Sequence, residues 1–315
     1  MRKADLLSVV IPCYNEQEVI RSSHERLTRI LAELVRKGKC NRYELLYVDD
    51  GSTDNTLTIL KELFAQDNNV RVVSFRRNYG LQGAISAGLS YAAGDAVVTI
   101  DADLQDPPEK IEVMLDHHQE GYDLVLGIRQ DRATDTFSKK FFAENYYRLM
   151  KFMGVEIVHN HGDFRLMDRS LVDEFNRLPE RNRFVRALII KLESRYAQVF
   201  YSRDVRTAGA TKFTPQKMFA FSLDGIISFS YVPLRIASIC GAFLCLLSFL
   251  GIIWVLYEKI TRNVVWGWTS TVLPIFALGG FQLFVLGIIG EYLGKLFLEV
   301  KQRPIYLVRE EHRHK

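Results

Sequence analysis

The sequence predicts an α/β domain on a mainly parallel sheet with helices on both faces, then interfacial helices and two C-terminal transmembrane helices. Three observations carry this reading. Short, continuously apolar, β-branched runs alternate with helix-period segments through the first half of the chain, as expected for strands buried on both faces. The successive strand runs end in clusters of polar residues. Two long apolar runs lie in the last third, so a mean hydropathy of -0.02 averages two unlike parts.

The elements follow in order. Leu6 to Pro12 (LLSVVIP) reads as a buried strand closed by proline. Helical spacing runs from Glu16 to Lys37, with Val19, Ile20, Leu27, Ile30, Leu31 and Leu34 on one face. Tyr43 to Val48 is a second strand. It stops at Asp49-Asp50-Gly51-Ser52-Thr53-Asp54, rich in turn and N-cap residues, before a helix from Asn55 to Ala65. Val70 to Phe75 is a third strand, Leu81 to Ala93 a third helix, and Ala96 to Ile100 a fourth strand ending at Asp101. Ligands of such sheets bind beyond the carboxyl ends of the strands. Tyr14-Asn15-Glu16, Asp49-Asp50, Arg76-Arg77-Asn78, and Asp101 with Asp103 are therefore expected along one edge.

Ile236 to Tyr257 and Val272 to Gly290 are each long enough to cross a bilayer, which takes about 20 apolar residues. Trp266 and Trp268 between them suit an interface. Lys295, Lys301, Arg303 and Arg309 after the second run outnumber Lys259 and Arg262 in the connection, which places the first domain and the C-tail in the cytoplasm. The N-terminus lacks the apolar stretch of a signal peptide. The expected location is the inner (plasma) membrane, multi-pass, with the first domain cytoplasmic. Residues 215–231 mix Met218, Phe219, Phe221 and Phe229 with Lys217 and Asp224. They form either an amphipathic helix in the headgroup layer or a helix packed on the soluble domain. The expected divisions are 1–212, 213–232, 233–298 and 299–315.

A net charge of +4 without a basic, aromatic-interleaved stripe argues against a nucleic-acid partner and fits an anionic membrane surface. The four cysteines have neither metal-ligand nor disulfide spacing. No Walker loop is present. Gly80, Gly83 and Gly88 do not match the dinucleotide fingerprint and read as turn or packing positions.

Asp101-Ala102-Asp103 directly follows a strand. Two carboxylates there can hold a hard divalent cation together with diphosphate oxygens, or can simply be solvated loop carboxylates. Gln105 is within reach of the same cation. Asp50 can accept from a ribose hydroxyl or base N–H while Asp54 caps the helix; Tyr14, Asn15 and Glu16 can stack on and bond to a base. Asp163, in Gly162-Asp163-Phe164-Arg165-Leu166-Met167-Asp168-Arg169, either orients or deprotonates an acceptor or forms a structural pair with an arginine. His159 and His161 read as loop histidines. Arg203, Arg206 and Lys212 form a basic group that meets either a specific lipid phosphate or anionic lipid in general.

VVIPCYNE (Val9–Glu16), VDDGSTD (Val48–Asp54) and DADLQDPPE (Asp101–Glu109) resemble the family 2 glycosyltransferases of the GT-A fold. Within them the chain looks most like the polyprenyl-phosphate glycosyltransferases, which include dolichol-phosphate mannose synthases and bactoprenol glucosyltransferases. GDFRLMDR (Gly162–Arg169), LPERNRF (Leu178–Phe184), LDGIISFS (Leu223–Ser230) and GIIGEYLGKLFLEVKQRPIY (Gly287–Tyr306) point to the bactoprenol group. The resemblance implies an inverting, metal-dependent transfer of one hexose, glucose from UDP-glucose, to polyprenyl (undecaprenyl) phosphate. UDP-GlcNAc or GDP-mannose as donor, or a catalytically silent nucleotide-sugar-binding membrane scaffold, are the alternatives. By resemblance, Pro12, Tyr14, Glu16 and Asp50 bind the nucleoside. Asp101, Ala102, Asp103 and Gln105 hold Mg2+ or Mn2+ and the diphosphate. Arg129 lies near the donor or acceptor phosphates, and Arg206 and Lys212 (RTAGATKF) contact phosphate. Asp163 matches the catalytic aspartate. The chain lacks the Gln-x-x-Arg-Trp motif of processive relatives, and the family implies a homo-oligomer, a tetramer.

Overall fold

The structure, a computed structural model, describes residues 3–130, 152–153, 158–181, 183–202, 230–262 and 268–314. The chain forms two compact units. One comprises Met1–Arg148, Glu156–Thr214 and Arg303–Lys315; the other comprises Leu149–Val155 and Pro215–Gln302.

The first unit contains β1 (Ala4–Cys13), α1 (Ile20–Arg36), β2 (Cys40–Asp49), α2 (Thr56–Gln66), β3 (Val70–Phe75), α3 (Leu81–Tyr91) and β4 (Ala96–Thr99). A short 3-10 turn, α4 (Ile111–Gln119), β5 (Leu124–Arg129), β6 (His161–Asp168), α5 (Arg169–Arg177), α6 (Val185–Leu192), β7 (Tyr196–Tyr201) and finally β8 (Val308–His312) follow. The strands lie in the order β7-β5-β6-β4-β1-β2-β3-β8.

The expected mainly parallel sheet is corrected to a mixed one. β1 pairs in parallel with β2 and β4, β2 with β3, and β5 with β7. β6 runs antiparallel between β4 and β5, and β8 runs antiparallel to β3. The reason is where the chain turns. His161 at the start of β6 faces Ile128 near the end of β5, and Val308 at the start of β8 faces Phe75 at the end of β3. In both cases the chain re-enters the sheet at the edge it left, and only a crossover would restore the parallel direction. The reversal has a consequence for the site: the first residues of β6 lie at the carboxyl edge of the parallel strands.

The layers follow from the side-chain pattern. Ile20, Leu27, Leu31 and Leu34 of α1 are buried, as their spacing predicts. On the other face of β1, Val10 meets α3 at Gly88, where a Cβ would collide with the Val10 side chain. α2 begins at Thr56, whose amide donates to Asp54 Oδ1 at 2.9 Å. At the closed edge, Arg71 of β3 donates to Glu44 Oε2 at 2.9 Å and to Glu311 Oε1 of β8 at 3.3 Å.

The second unit contains α7 (Val232–Arg262) and α8 (Trp268–Val300). Tyr292 of α8 donates its hydroxyl to the Ser230 carbonyl. Among the described residues one helical stretch, Val232–Gly251, is long and apolar enough to cross a membrane. This corrects the expectation of two spans, and with it the multi-pass topology. Glu291, Lys295 and Glu299 bring charge into the last turns of α8. The expected interfacial segment, 215–231, lies outside the described residues except for its last two.

Candidate active site

The turn after β4 carries the two candidate metal carboxylates, and three anchors shape it. Ser23 Oγ of α1 donates to the Ala102 carbonyl at 2.7 Å. Leu104 adopts a left-handed backbone (φ 45°) and is buried, which closes the turn onto the core. Asp106, also buried, accepts from Arg129 Nη2 at 3.0 Å, and Arg129 Nε donates to Tyr201 Oη at 3.3 Å. Arg129 ends β5 and Tyr201 ends β7, so the sheet itself sets the far side of the turn. Gly162 makes this possible, because a Cβ there would stand 2.7 Å from Arg129 Nη2.

Beside this turn lies a buried ionic cluster. His161, Asp163 and Arg165 alternate along β6 and therefore share one face. Asp163 Oδ1 accepts from Arg165 Nη2, and from Arg186 Nε at 3.2 Å; Oδ2 accepts from Arg186 Nη2 at 2.6 Å. The Thr99 hydroxyl donates to the Asp163 carbonyl and ties the cluster to β4. Burial would push the Asp163 carboxyl up, but the Arg186 and Arg165 guanidiniums outweigh it and hold it well below the usual carboxylate range. Burial brings Arg165 down to about 10. Burial, reinforced by Arg165, keeps His161 neutral, and neither ring nitrogen has a hydrogen-bond partner among the described residues. Asp101 is pushed up to about 7 by burial and then by the Asp163 and Asp106 carboxylates, with Arg129 opposing.

Asp101 and Asp103 fit a hard divalent cation. Burial beside other carboxylates makes a second negative charge at Asp101 unfavourable, and a cation relieves that directly. Among the described residues there is no group of three His, Cys, Asp or Glu that could cage an ion. Two carboxylates with the rest of the shell left to diphosphate and water is the arrangement Mg2+ prefers.

The loops after β1 and β2 are bonded together. Asn15 N donates to Ser52 Oγ at 3.0 Å, Glu16 N to Thr56 Oγ1 at 2.8 Å, and Thr53 N to Asn15 Oδ1 at 2.8 Å. Pro12, Tyr14 and Glu16 line this edge half-buried. Asp50, expected to bind the nucleoside, is buried at this edge. Its buried carboxylate accepts from the amides of Tyr79 at 2.6 Å and Gly80 at 2.9 Å, fixing the loop after β3. Burial pushes it up to about 6, against those two amides.

The structure thus brings Asp101, Ala102, Asp103, Gln105, Arg129 and Asp163 to one edge. Arg206 and Lys212 lie outside the described residues. The eight-residue charge cluster of β6 divides in two. Asp163 and Arg165 pair at the site, whereas Asp168 meets His118 at 2.9 Å and Arg169 donates to the carbonyls of Ala92 and Gly94. Sequence reasoning missed Ser23, Asp106, Tyr201 and Arg186. Asp106 stood next to the assigned Gln105; Arg186 carried no signal, since its partner lies 23 positions away.

Residues 8–175 match the family described as glycosyl transferase family 2. An uncharacterized glycosyltransferase, YkcC, of Bacillus subtilis is 43% identical over 307 residues, covering 97% of this chain and 94% of that protein. The SfII prophage-derived bactoprenol glucosyl transferase of Shigella flexneri is 40% identical over 309 residues, covering 98% of each. Among solved structures, glucosyl-3-phosphoglycerate synthase from Mycobacterium tuberculosis, with Mn2+, UDP-glucose and phosphoglyceric acid, aligns with a TM-score of 0.46 at 22% identity, over 71% of this chain and 78% of that one. On the family match and these relatives, the chain belongs to glycosyl transferase family 2.

Proposed function

We propose that the chain transfers a single glucose from UDP-glucose to a polyprenyl phosphate, giving a polyprenyl-phosphate sugar, with Mg2+ or Mn2+ as cofactor. The observation that carries this is the pair Asp101 and Asp103 at the sheet edge beside the Asp163–Arg186 cluster. Relatives of about 40% identity over nearly their whole length bear the name bactoprenol glucosyl transferase, which supports the donor and the acceptor.

The chemistry asks little of a base. A phosphate acceptor is already anionic at neutral pH, so two anionic substrates must be brought together and the leaving diphosphate stabilised. Positioning and electrostatics supply most of that. When bound, the cation neutralises charge on the departing diphosphate. Asp101 and Asp103 hold it, with Gln105 beside them. Pro12, Tyr14 and Glu16 seat the nucleoside, while Asp50 acts through the loop it fastens. Arg206 and Lys212 meet the acceptor phosphate. Asp163 orients groups rather than accepting a proton, because a carboxylate held by two guanidiniums has little proton affinity. The lipid tail lies in the bilayer, against which the exposed apolar stretch Val232–Gly251 is suited to rest.

The test is incubation of the purified chain with radiolabelled UDP-glucose, Mn2+ and undecaprenyl phosphate, with extraction of lipid product. Asp103→Ala should lower turnover by about 10³-fold while the protein still folds. UDP-GlcNAc and GDP-mannose are run as rival donors. Retained turnover in the variant would defeat the metal assignment; UDP binding without any lipid product in the wild type would favour a silent scaffold.

A further inference from the structure

We infer that Arg186 is a direct contact for the acceptor's phosphate group, and that Asp163 and Arg165 are positioning residues that aim it. This rests on the proposed acceptor being a lipid phosphate. The cluster has an inside and an outside. Arg165 is fully buried, Asp163 is 3% exposed, and the Arg186 side chain is 29% exposed. Arg165 holds Asp163 from within the sheet, and Asp163 in turn takes Arg186 by a two-point contact through Nε and Nη2. Both of these contacts run through Nε and Nη2, on one side of the guanidinium. The base of the arginine is fixed as well: Gln82 Oε1 of α3 accepts from the Val185 amide at 2.8 Å and caps the first turn of α6.

Charge counting gives the second argument. Asp163 is hydrogen-bonded to two guanidiniums beside a neutral His161, and Asp101 acts on both arginines; with Asp101 committed to the cation, the cluster keeps an excess positive charge in a poorly hydrated place. A purely structural pair needs one arginine; a second, left uncompensated once Asp101 serves the cation, is costly unless an anion joins it. A guanidinium already oriented on one side presents its remaining N–H groups in a fixed fork, the geometry that recognises phosphate oxygens. The donor diphosphate meets its positive charge at the cation held by Asp101 and Asp103. The anion left to Arg186 is therefore the acceptor's. Asp101 lies close enough to influence Arg186 electrostatically, which keeps the two substrates' charges in one site.

The full chain in detergent provides the test. Binding of a short-chain polyprenyl phosphate, in the presence of UDP and Mn2+, is measured by calorimetry alongside transfer kinetics. Arg186→Lys keeps the charge and loses the fork. It should weaken acceptor binding and raise the acceptor KM by about tenfold, with UDP affinity changed less than about twofold. Asp163→Asn should show the same split, and the double variant should be no worse than the more affected single one, because both act on one contact. Arg186→Met repeats the measurement should the lysine variant unfold. Excess inorganic phosphate should compete with the lipid in the wild type and lose that competition in Arg186→Lys, which separates headgroup recognition from tail binding. Wild-type acceptor affinity in the arginine variants would overturn the inference, and so would a parallel loss of UDP affinity. A wild type that binds lipid phosphate through Arg186 yet yields no product would leave the contact standing and sink the proposed reaction.

Discussion

Asp106 touches no substrate in this reading, yet it fixes the far side of the turn that bears Asp101 and Asp103. Its partner Arg129 is part-exposed and can swing outward when released. Asp106→Asn keeps the volume and removes a charge-assisted hydrogen bond, an interaction of about 1.5–3 kcal/mol. The expected result is a roughly tenfold loss of Mn2+ affinity, read by paramagnetic resonance with UDP present, and a small change in Tm. Gly162→Ala should do the same without touching a polar group, because its Cβ displaces Arg129. Unchanged Mn2+ binding in both would disprove the brace. Asp50 gives a prediction in pH. Its folded pKa of about 6 exceeds the ordinary value of 3.8, so the folded protein binds more protons between these limits. Stability from this group is therefore present at low pH and lost as pH rises from about 4 to 6, by roughly 1–3 kcal/mol. Asp50→Asn cannot titrate. The Tm advantage of wild type over this variant should shrink across that window, and a constant difference would contradict the assignment.

At the scale of elements, legibility in the sequence follows burial. β1 to β4 and α1 were readable because each is buried along a strand face or a helical stripe, and apolar periodicity records that. β6 was not readable. His161, Asp163 and Arg165 are buried through pairing and neutralisation, which no hydropathy pattern marks. The same holds for the active site. Asp101 and Asp103 stood out by spacing and by following a strand, whereas Arg186 reaches Asp163 only through tertiary structure. β8 was invisible for a different reason. Val308–His312 is a charged edge strand, part-exposed, and it is held by specific partners. Glu310 pairs with Lys61 at 2.7 Å, Glu311 with Arg71, and Tyr306 stacks on Phe75 with ring centroids 5.0 Å apart. Ending the chain after Leu307 should bare the β3 edge. We expect a loss of about 2–4 kcal/mol, seen as a lower Tm, and a shift to aggregates in size-exclusion chromatography. The Arg76 amide would keep its bond to the Leu307 carbonyl, so UDP affinity should fall little. A full loss of UDP binding in a folded truncate would mean that β8 acts on the donor site directly.

At the scale of the whole molecule, the issue is what attaches the chain to a membrane. A net charge of +4 offers electrostatic attraction to anionic lipid, which weakens with salt. Val232–Gly251 offers apolar burial, which salt does not weaken. Ile239 and Phe243 sit near the middle of that stretch with their side chains exposed. An aspartate at the centre of a membrane helix costs about 2.5–3.5 kcal/mol, so Ile239→Asp with Phe243→Asp opposes insertion by roughly 5–7 kcal/mol. The wild type should therefore remain in the membrane pellet through washes with molar salt and alkaline carbonate, and leave it only with detergent. The double variant should lose much of that retention, while the unfolding transition of the sheet-bearing unit, whose core contains neither residue, stays in place. Release of the wild type by salt alone would assign the attachment to charge. Equal retention of the double variant would show that Val232–Gly251 is not the segment that holds the chain in the bilayer.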